Sequence, residues 1–176
     1  METNSNWQIS EVQRKLLGSL FSVIEDNDVK NVFDIGSGRT SIQYLTDRYK
    51  NLVITGIVFP GDARKIDPIK ECVTNTNYEI IEQDIMHFDE NQEIDIVLAH
   101  LFLGEAEQFA ENKFPKILEK LFSLKTKYIV MVNLERDNIN QDLLLAEINK
   151  RGKIIKSERV VSESGDVCLG MTIKLT

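Results

Sequence analysis

Val32-Phe33-Asp34-Ile35-Gly36-Ser37-Gly38-Arg39-Thr40-Ser41 decides how this chain is read. A short apolar run ends in an acid. Two glycines and small polar residues follow, and residues 41–49 have helical spacing. The pattern predicts a strand, a tight turn and a helix start, the layout that receives nucleotide-like ligands in open α/β sheets. The glycines let the backbone turn sharply and let a ligand approach it. The helix start adds unpaired N–H groups and a partial positive charge. Asp34, at the strand end, is expected to face the crevice, where its carboxylate can accept two hydrogen bonds from a cationic or hydroxyl-rich ligand.

Outward from this stretch the chain alternates. Before it, Ile9, Val12, Leu16, Leu20, Val23 and Ile24 repeat at helical spacing, and Ser10 with Gln13 forms a capping box, so the helix starts near Ser10. Asp26-Asn27-Asp28 ends it. After it come a second strand over residues 52–59, the turn Pro60-Gly61-Asp62, and a helix over 63–72 disturbed by Pro68. A third strand spans 78–82 and a fourth 93–99, the latter apolar enough to be covered on both faces. Residues 105–123 are helical in pattern, with Pro115 splitting or starting a piece. A fifth strand covers 128–132. Asn140 caps a helix that runs to Lys150 and ends at Gly152, and two strands around Ser164-Gly165-Asp166 make a terminal hairpin.

Strands alternating with helices imply a parallel sheet with helices on both faces, the hairpin adding one antiparallel strand. The loops after Asp34, Phe59, Asp84, Ala99 and Val132 then share the rim at which such sheets bind ligands. With 176 residues, the expectation is a single domain over 1–176, residues 1–28 being an N-terminal helical extension. A net charge of −7 argues against a broad electrostatic grip on nucleic acid. No apolar run is long enough for a membrane span, and the first residues lack a signal pattern. Cys72 and Cys168 have no metal-ligand spacing and read as packing residues in a reducing, cytoplasmic setting. No His/Cys/Asp/Glu grouping has metal spacing, so no metal is expected.

From Asn31 onward the sequence resembles the class I S-adenosylmethionine-dependent methyltransferases. The resemblance rests on Asp34-Ile35-Gly36-Ser37-Gly38, on Gln83-Asp84-Ile85 after the third strand, and on the βα units closed by a hairpin. It implies a three-layer α/β sandwich with a seven-stranded sheet of order 3-2-1-4-5-7-6, strand 7 antiparallel. It also implies S-adenosylmethionine as cofactor. Contacts to it fall on Asp34, Gly36, Ser37, Gly38, Val58, Phe59, Asp84, Ile85 and Ala99. Asp34 would hold the amino group of the cofactor's methionine part, Gly36 and Gly38 would let that part lie on the backbone, and Asp84 would stand near the adenine amine.

One position departs from the family. The acid that ends its second strand and holds the ribose hydroxyls falls here on Val58. Losing a pair of charged hydrogen bonds weakens binding by roughly one or two factors of ten. Asp62 is a substitute by position or a helix cap. Thr40 replaces the motif's third glycine. Other loop readings fail: a P-loop needs glycine and lysine where Phe33 and Arg39 stand, and a dinucleotide site wants a glycine at Ser41 and an acid on the second strand.

For methyl transfer, an in-line displacement, the protein supplies alignment and, where the acceptor must lose a proton, a base. His100 and Glu105, in Ala99-His100-Leu101-Phe102-Leu103-Gly104-Glu105, are the candidate catalytic residues; the alternatives are a backbone-bonded histidine and a helix cap. Leu101, Phe102 and Leu103 line a pocket or cover the sheet edge. His87 reads as structural or as an adenine neighbour, and Asn133 and Glu135 as substrate contacts or a way into the next helix. In this family extra N-terminal helices cover the cofactor, which would make Trp7 a lid residue; otherwise Trp7 anchors its helix to the sheet. The acidic chain without a recognition appendage favours a small-molecule acceptor over nucleic acid. Val58 keeps open a second reading, a methyltransferase-like binding or scaffold module without turnover.

Overall fold

A computed structural model of the chain describes residues 10–61, 77–89, 91–104 and 113–176. Seven strands form one sheet: β1 (Val32–Ile35), β2 (Ile54–Val58), β3 (Tyr78–Glu82), β4 (Ile94–His100), β5 (Thr126–Leu134), β6 (Gly152–Val161) and β7 (Val167–Leu175). Their order is β3-β2-β1-β4-β5-β7-β6. β1 to β5 pair in parallel, and β7 runs antiparallel to both β5 and β6. This is the topology the resemblance implied.

Two apolar layers sandwich the sheet. On one face α1 (Glu11–Phe21) and α2 (Arg39–Arg48) bring Leu16, Leu20, Phe21, Ile42 and Leu45 onto Val32, Ile54, Ile96, Leu98 and Val130. On the other, α3 (Phe114–Ser123) and α4 (Gln141–Arg151) bring Ile117, Leu118, Leu121, Leu144 and Ile148 onto Phe33, Ile35, Val97, Ile129 and Met131. Successive strand residues therefore serve opposite layers, and both must be apolar in the central strands. β1 and β4 are buried at every residue. Among the described residues no helix is long and apolar enough to cross a membrane.

The helix ends follow the sequence. Ser10 Oγ accepts from the backbone N–H of Gln13 at 3.2 Å, and Asn140 Oδ1 accepts from that of Leu143 at 3.1 Å. Pro115 lies in the first turn of α3, where its missing N–H costs nothing. Gly165 turns the hairpin with φ +85°. Gly152 ends α4 as its C-cap, its N–H donating to the Ile148 carbonyl, and with φ −175° it opens β6 at a spot where a Cβ would lie 2.4 Å from the Lys174 carbonyl oxygen.

α1 decides between the two roles left open for the N-terminal helix. It is a layer of the core, not a cover over the rim. Leu16, Leu17, Leu20 and Phe21 are buried, so the packed stripe runs through Leu17 and Phe21 rather than the exposed Val23. Gly170 of β7 admits it: a Cβ there would lie 2.7 Å from Leu20 and 3.0 Å from Leu16. Thr172 Oγ1 then donates to the Leu20 carbonyl at 2.7 Å. Trp7, Asp62, the 63–72 helix with Cys72, and Glu105 lie outside the described residues. Cys168 is a free, buried cysteine.

Candidate functional site

The site is built where β1 stops. The β1–β2 ladder runs one step past the strand, with Gly36 N–H donating to the Ile57 carbonyl at 2.9 Å. Gly36 then takes φ +71°, a left-handed conformation open to glycine and strained for other residues. Gly38 follows as the N-cap of α2. It has no side chain to cap with, and Ser41 does that work: its Oγ accepts from the Gly38 N–H at 3.1 Å. Among the described residues a Cβ on Gly38 would meet nothing within 4 Å, which leaves the backbone there approachable by a ligand.

Beneath this turn lies Asp34, wholly buried at 0% exposure. It lies on the α1/α2 side of the sheet, inside a set of hydroxyls. Ser41 Oγ donates to Asp34 Oδ2 at 2.7 Å, and Tyr78 Oη stands 3.3 Å from the same oxygen. Tyr78 Oη is also 2.6 Å from Ser37 Oγ, which donates to the Asp34 carbonyl at 2.9 Å. Burial first, and then the negative charge of Asp34, push the Tyr78 phenol well above the ordinary tyrosine range, so it stays a donor. Buried polar atoms demand such partners.

Tyr78 comes from β3, the far strand of this half-sheet, and crosses β2 at Gly56. A Cβ on Gly56 would lie 2.1 Å from Tyr78 Oη and 2.5 Å from Ser37 Oγ. Neither Tyr78 nor Ser41 was singled out for a site role from sequence. The available signal was Gly56, since a glycine inside a strand marks a close approach.

The other expected contacts flank this core. Val58 is buried at the end of β2, in register with Glu82 of β3. Phe59, next along the chain, is 64% exposed and stands on the rim. Asp84 caps a single 3-10 turn, Ile85–His87, accepting from the Met86 N–H at 2.9 Å. Ile85 is buried in the α3/α4 layer, as is Ala99, which pairs with Ile35. His87 is exposed.

On the β4 side, His100 ends the strand in register with Val132 and is buried. Leu101 follows with φ +59°, a conformation that a branched apolar residue rarely adopts, held by its N–H donating to the Val132 carbonyl at 2.7 Å. The kink turns the chain so that Phe102 covers the glycine turn: a Cβ on Gly36 would lie 3.0 Å from Phe102 Cδ2. Leu103 is buried in the core. Of that apolar trio, then, Phe102 reaches the site and Leu103 covers the sheet. Asn133, near the end of β5, is buried, with its Oδ1 lacking a hydrogen bond among the described residues. Glu135 belongs to a 3-10 turn and pairs with Arg159 at 3.2 Å. Among the described residues no His/Cys/Asp/Glu group could hold a metal ion.

No family model matches the chain, and no curated protein matches it in sequence. Solved structures do match in fold. The N-methyltransferase NodS from Bradyrhizobium japonicum WM9, in complex with S-adenosyl-L-homocysteine, aligns with a TM-score of 0.68 at 13% identity, over 92% of this chain and 84% of its own. The fold is that of the class I S-adenosylmethionine-dependent methyltransferases. Two more structures with this methyltransferase fold align over similar lengths. The Burkholderia thailandensis 1,6-didemethyltoxoflavin-N1-methyltransferase does so with a TM-score of 0.64 at 16% identity, over 94% of this chain and 79% of its own. The N-terminal domain of EvdMO1, with S-adenosylhomocysteine bound, gives 0.61 at 11% identity, over 99% and 85%.

Proposed function

We propose that this protein is a cytoplasmic S-adenosylmethionine-dependent methyltransferase acting on a small-molecule acceptor. The observation that carries the reading is Asp34: a buried carboxylate, oriented by Ser41 and Tyr78, directly under a two-glycine turn. Burying a charge is costly, and a fold keeps one at a strand end where it has a use. The neighbours support the cofactor, two having been solved with S-adenosylhomocysteine and a third with both that compound and 1,6-didemethyltoxoflavin.

The residues fit the cofactor at both ends. At the methionine end Asp34 accepts from the amino group, and the backbone at Ser37 and Gly38 borders it, with open space at Gly38. At the adenine end the exposed ring of Phe59 offers a flat apolar face, and Asp84 keeps one carboxylate oxygen beyond the one that caps Met86. Between them, Val58 gives the ribose an aliphatic neighbour, and the nearest acid by register is Glu82. When bound, the cofactor supplies an electrophilic methyl group on a sulfonium. The chain's part is to hold the acceptor in line and to take its proton. His100, at the end of β4 beside the kink at Leu101, is the proposed base, with Glu105, further along the sequence, the second candidate.

Isothermal titration calorimetry with S-adenosylhomocysteine tests the reading. Saturable binding in the micromolar range with a thermal upshift is expected; no heat and no shift at millimolar ligand would overturn it. Two observations favour a second reading, a binding module without turnover: Phe102 packs on Gly36, and Val58 stands where the family has its ribose acid. A stable complex with another protein, together with no affinity for the cofactor product, would establish that reading instead.

A further inference from the structure

The network around Asp34 contains one member that local sequence does not require. Ser37 and Ser41 belong to the turn itself. Tyr78 lies 44 residues away from Asp34, on a strand that does not touch β1. It pairs with Ile54, while Asp34 pairs with Gly56, so the ring climbs toward the carboxyl end of the sheet to bring its hydroxyl under the turn. The path exists only because residue 56 has no side chain. At the far end the phenol meets both halves of the site: Asp34 Oδ2 at 3.3 Å and, through Ser37 Oγ at 2.6 Å, the backbone of the turn.

We propose that Tyr78 is a positioning residue, which fixes the Asp34 carboxylate and the glycine turn relative to each other so that together they receive the aminoacyl end of the cofactor. The inference rests on the methyltransferase reading above and deepens it. Proton bookkeeping supports it. Ser37 spends its proton on the Asp34 carbonyl, which leaves its lone pairs for the phenol. Ser41 spends its own on Oδ2. The phenol's proton then serves Ser37 at the short distance and Oδ2 at the longer one. At Oδ2 the carboxylate meets the hydroxyls of Ser41 and Tyr78, which orient it.

The test separates this role from plain packing by using two ligands. S-adenosylhomocysteine carries the aminoacyl end; 5′-methylthioadenosine has the same nucleoside and thioether without it. Calorimetry is done with both on the unmodified protein, on Tyr78→Phe and on Ser37→Ala, each checked for folding by thermal denaturation. Ser37→Ala keeps the Tyr78 ring in place and removes its nearer partner. The expected result is a loss of about ten-fold in S-adenosylhomocysteine affinity in both variants, the worth of one hydrogen bond to a charged group, with methylthioadenosine affinity unchanged. Equal losses for both ligands, or no loss, would overturn the positioning role and leave the methyltransferase reading standing. So would an unmodified protein that binds the two equally, or failure of both variants to fold. An unmodified protein that binds neither ligand overturns the functional reading, and this inference with it.

Discussion

Asp34 and Asp95 are both buried in the sheet, at opposite ends, and are treated in opposite ways. Asp95 stands near the amino end of β4. Its carboxylate accepts from the backbone N–H groups of Lys30 at 2.7 Å and Asn31 at 3.2 Å, and pairs with Lys127 Nζ at 2.6 Å. Asn31 returns the bond, its Oδ1 accepting from the Asp95 N–H at 2.8 Å. This acid joins the beginnings of β1, β4 and β5 and is spent on the fold. Asp34, near the carboxyl end of β1, is met by hydroxyls that orient it. The same residue type ties strand beginnings together at one end of the sheet and lies under the glycine turn at the other. A parallel sheet gathers loops for ligands at its carboxyl ends, so the difference tells a structural acid from a functional one.

Substitution of Asp34 should break the comparison most sharply. Asp34→Asn keeps the shape and removes the charge. S-adenosylhomocysteine affinity should fall about 100-fold, the scale of losing a buried charged hydrogen bond. The melting temperature should move by only a few degrees. A variant that binds normally would make Asp34 a structural acid like Asp95. Gly56→Ala comes next. Its new methyl group would have to displace Tyr78 Oη or Ser37 Oγ, both buried, and overpacking of this kind costs about 1–3 kcal/mol. Urea unfolding measures that cost, and affinity should fall with it because the path of Tyr78 is blocked. Asp95→Ala should do the reverse of Asp34→Asn. It strands two backbone donors and costs about 2 kcal/mol of stability, with ligand affinity unchanged in the folded protein.

What the sequence disclosed and what it hid divide along the same line. β1, the glycine turn, β3 and the caps at Ser10 and Asn140 were legible because each is decided by residues a few positions apart. The sheet order followed from the resemblance. The surroundings of Asp34 were not legible, because Tyr78 reaches it across β2, and no local pattern says which strand will be a neighbour two places away. The kink at Leu101 and the packing of Phe102 on Gly36 were hidden for a similar reason: the loop after β4 is shaped by the strand beside it, through the Val132 carbonyl. Gly152 was legible as the stop of α4, but the room it leaves for the Lys174 carbonyl was not, because that carbonyl comes from another strand.

Acid sharpens the comparison with the smallest effect. Burial alone would raise the Asp95 carboxyl, but Lys127 and the two backbone N–H groups outweigh it and hold the group below the usual carboxylate range. A folded-state value below the unfolded one means the folded protein binds the proton less readily. The stabilisation is therefore complete above the unfolded carboxylate value, about 3.9, and is lost as the pH falls through the lower folded value. Urea unfolding of the unmodified protein and of Asp95→Asn, from neutral pH into that acidic range, should show a stability gap that closes below about pH 4. Lys127→Gln removes one cause of the depression and should move the closing of the gap to higher pH. Asp34→Asn provides the contrast, because its main effect is on ligand binding at neutral pH. A gap between the unmodified protein and Asp95→Asn that stayed constant down to the acid limit would mean that the ion pair and amide bonds at the base of the sheet contribute no charge-dependent stability, and the distinction between the two acids would then rest on Asp34 alone.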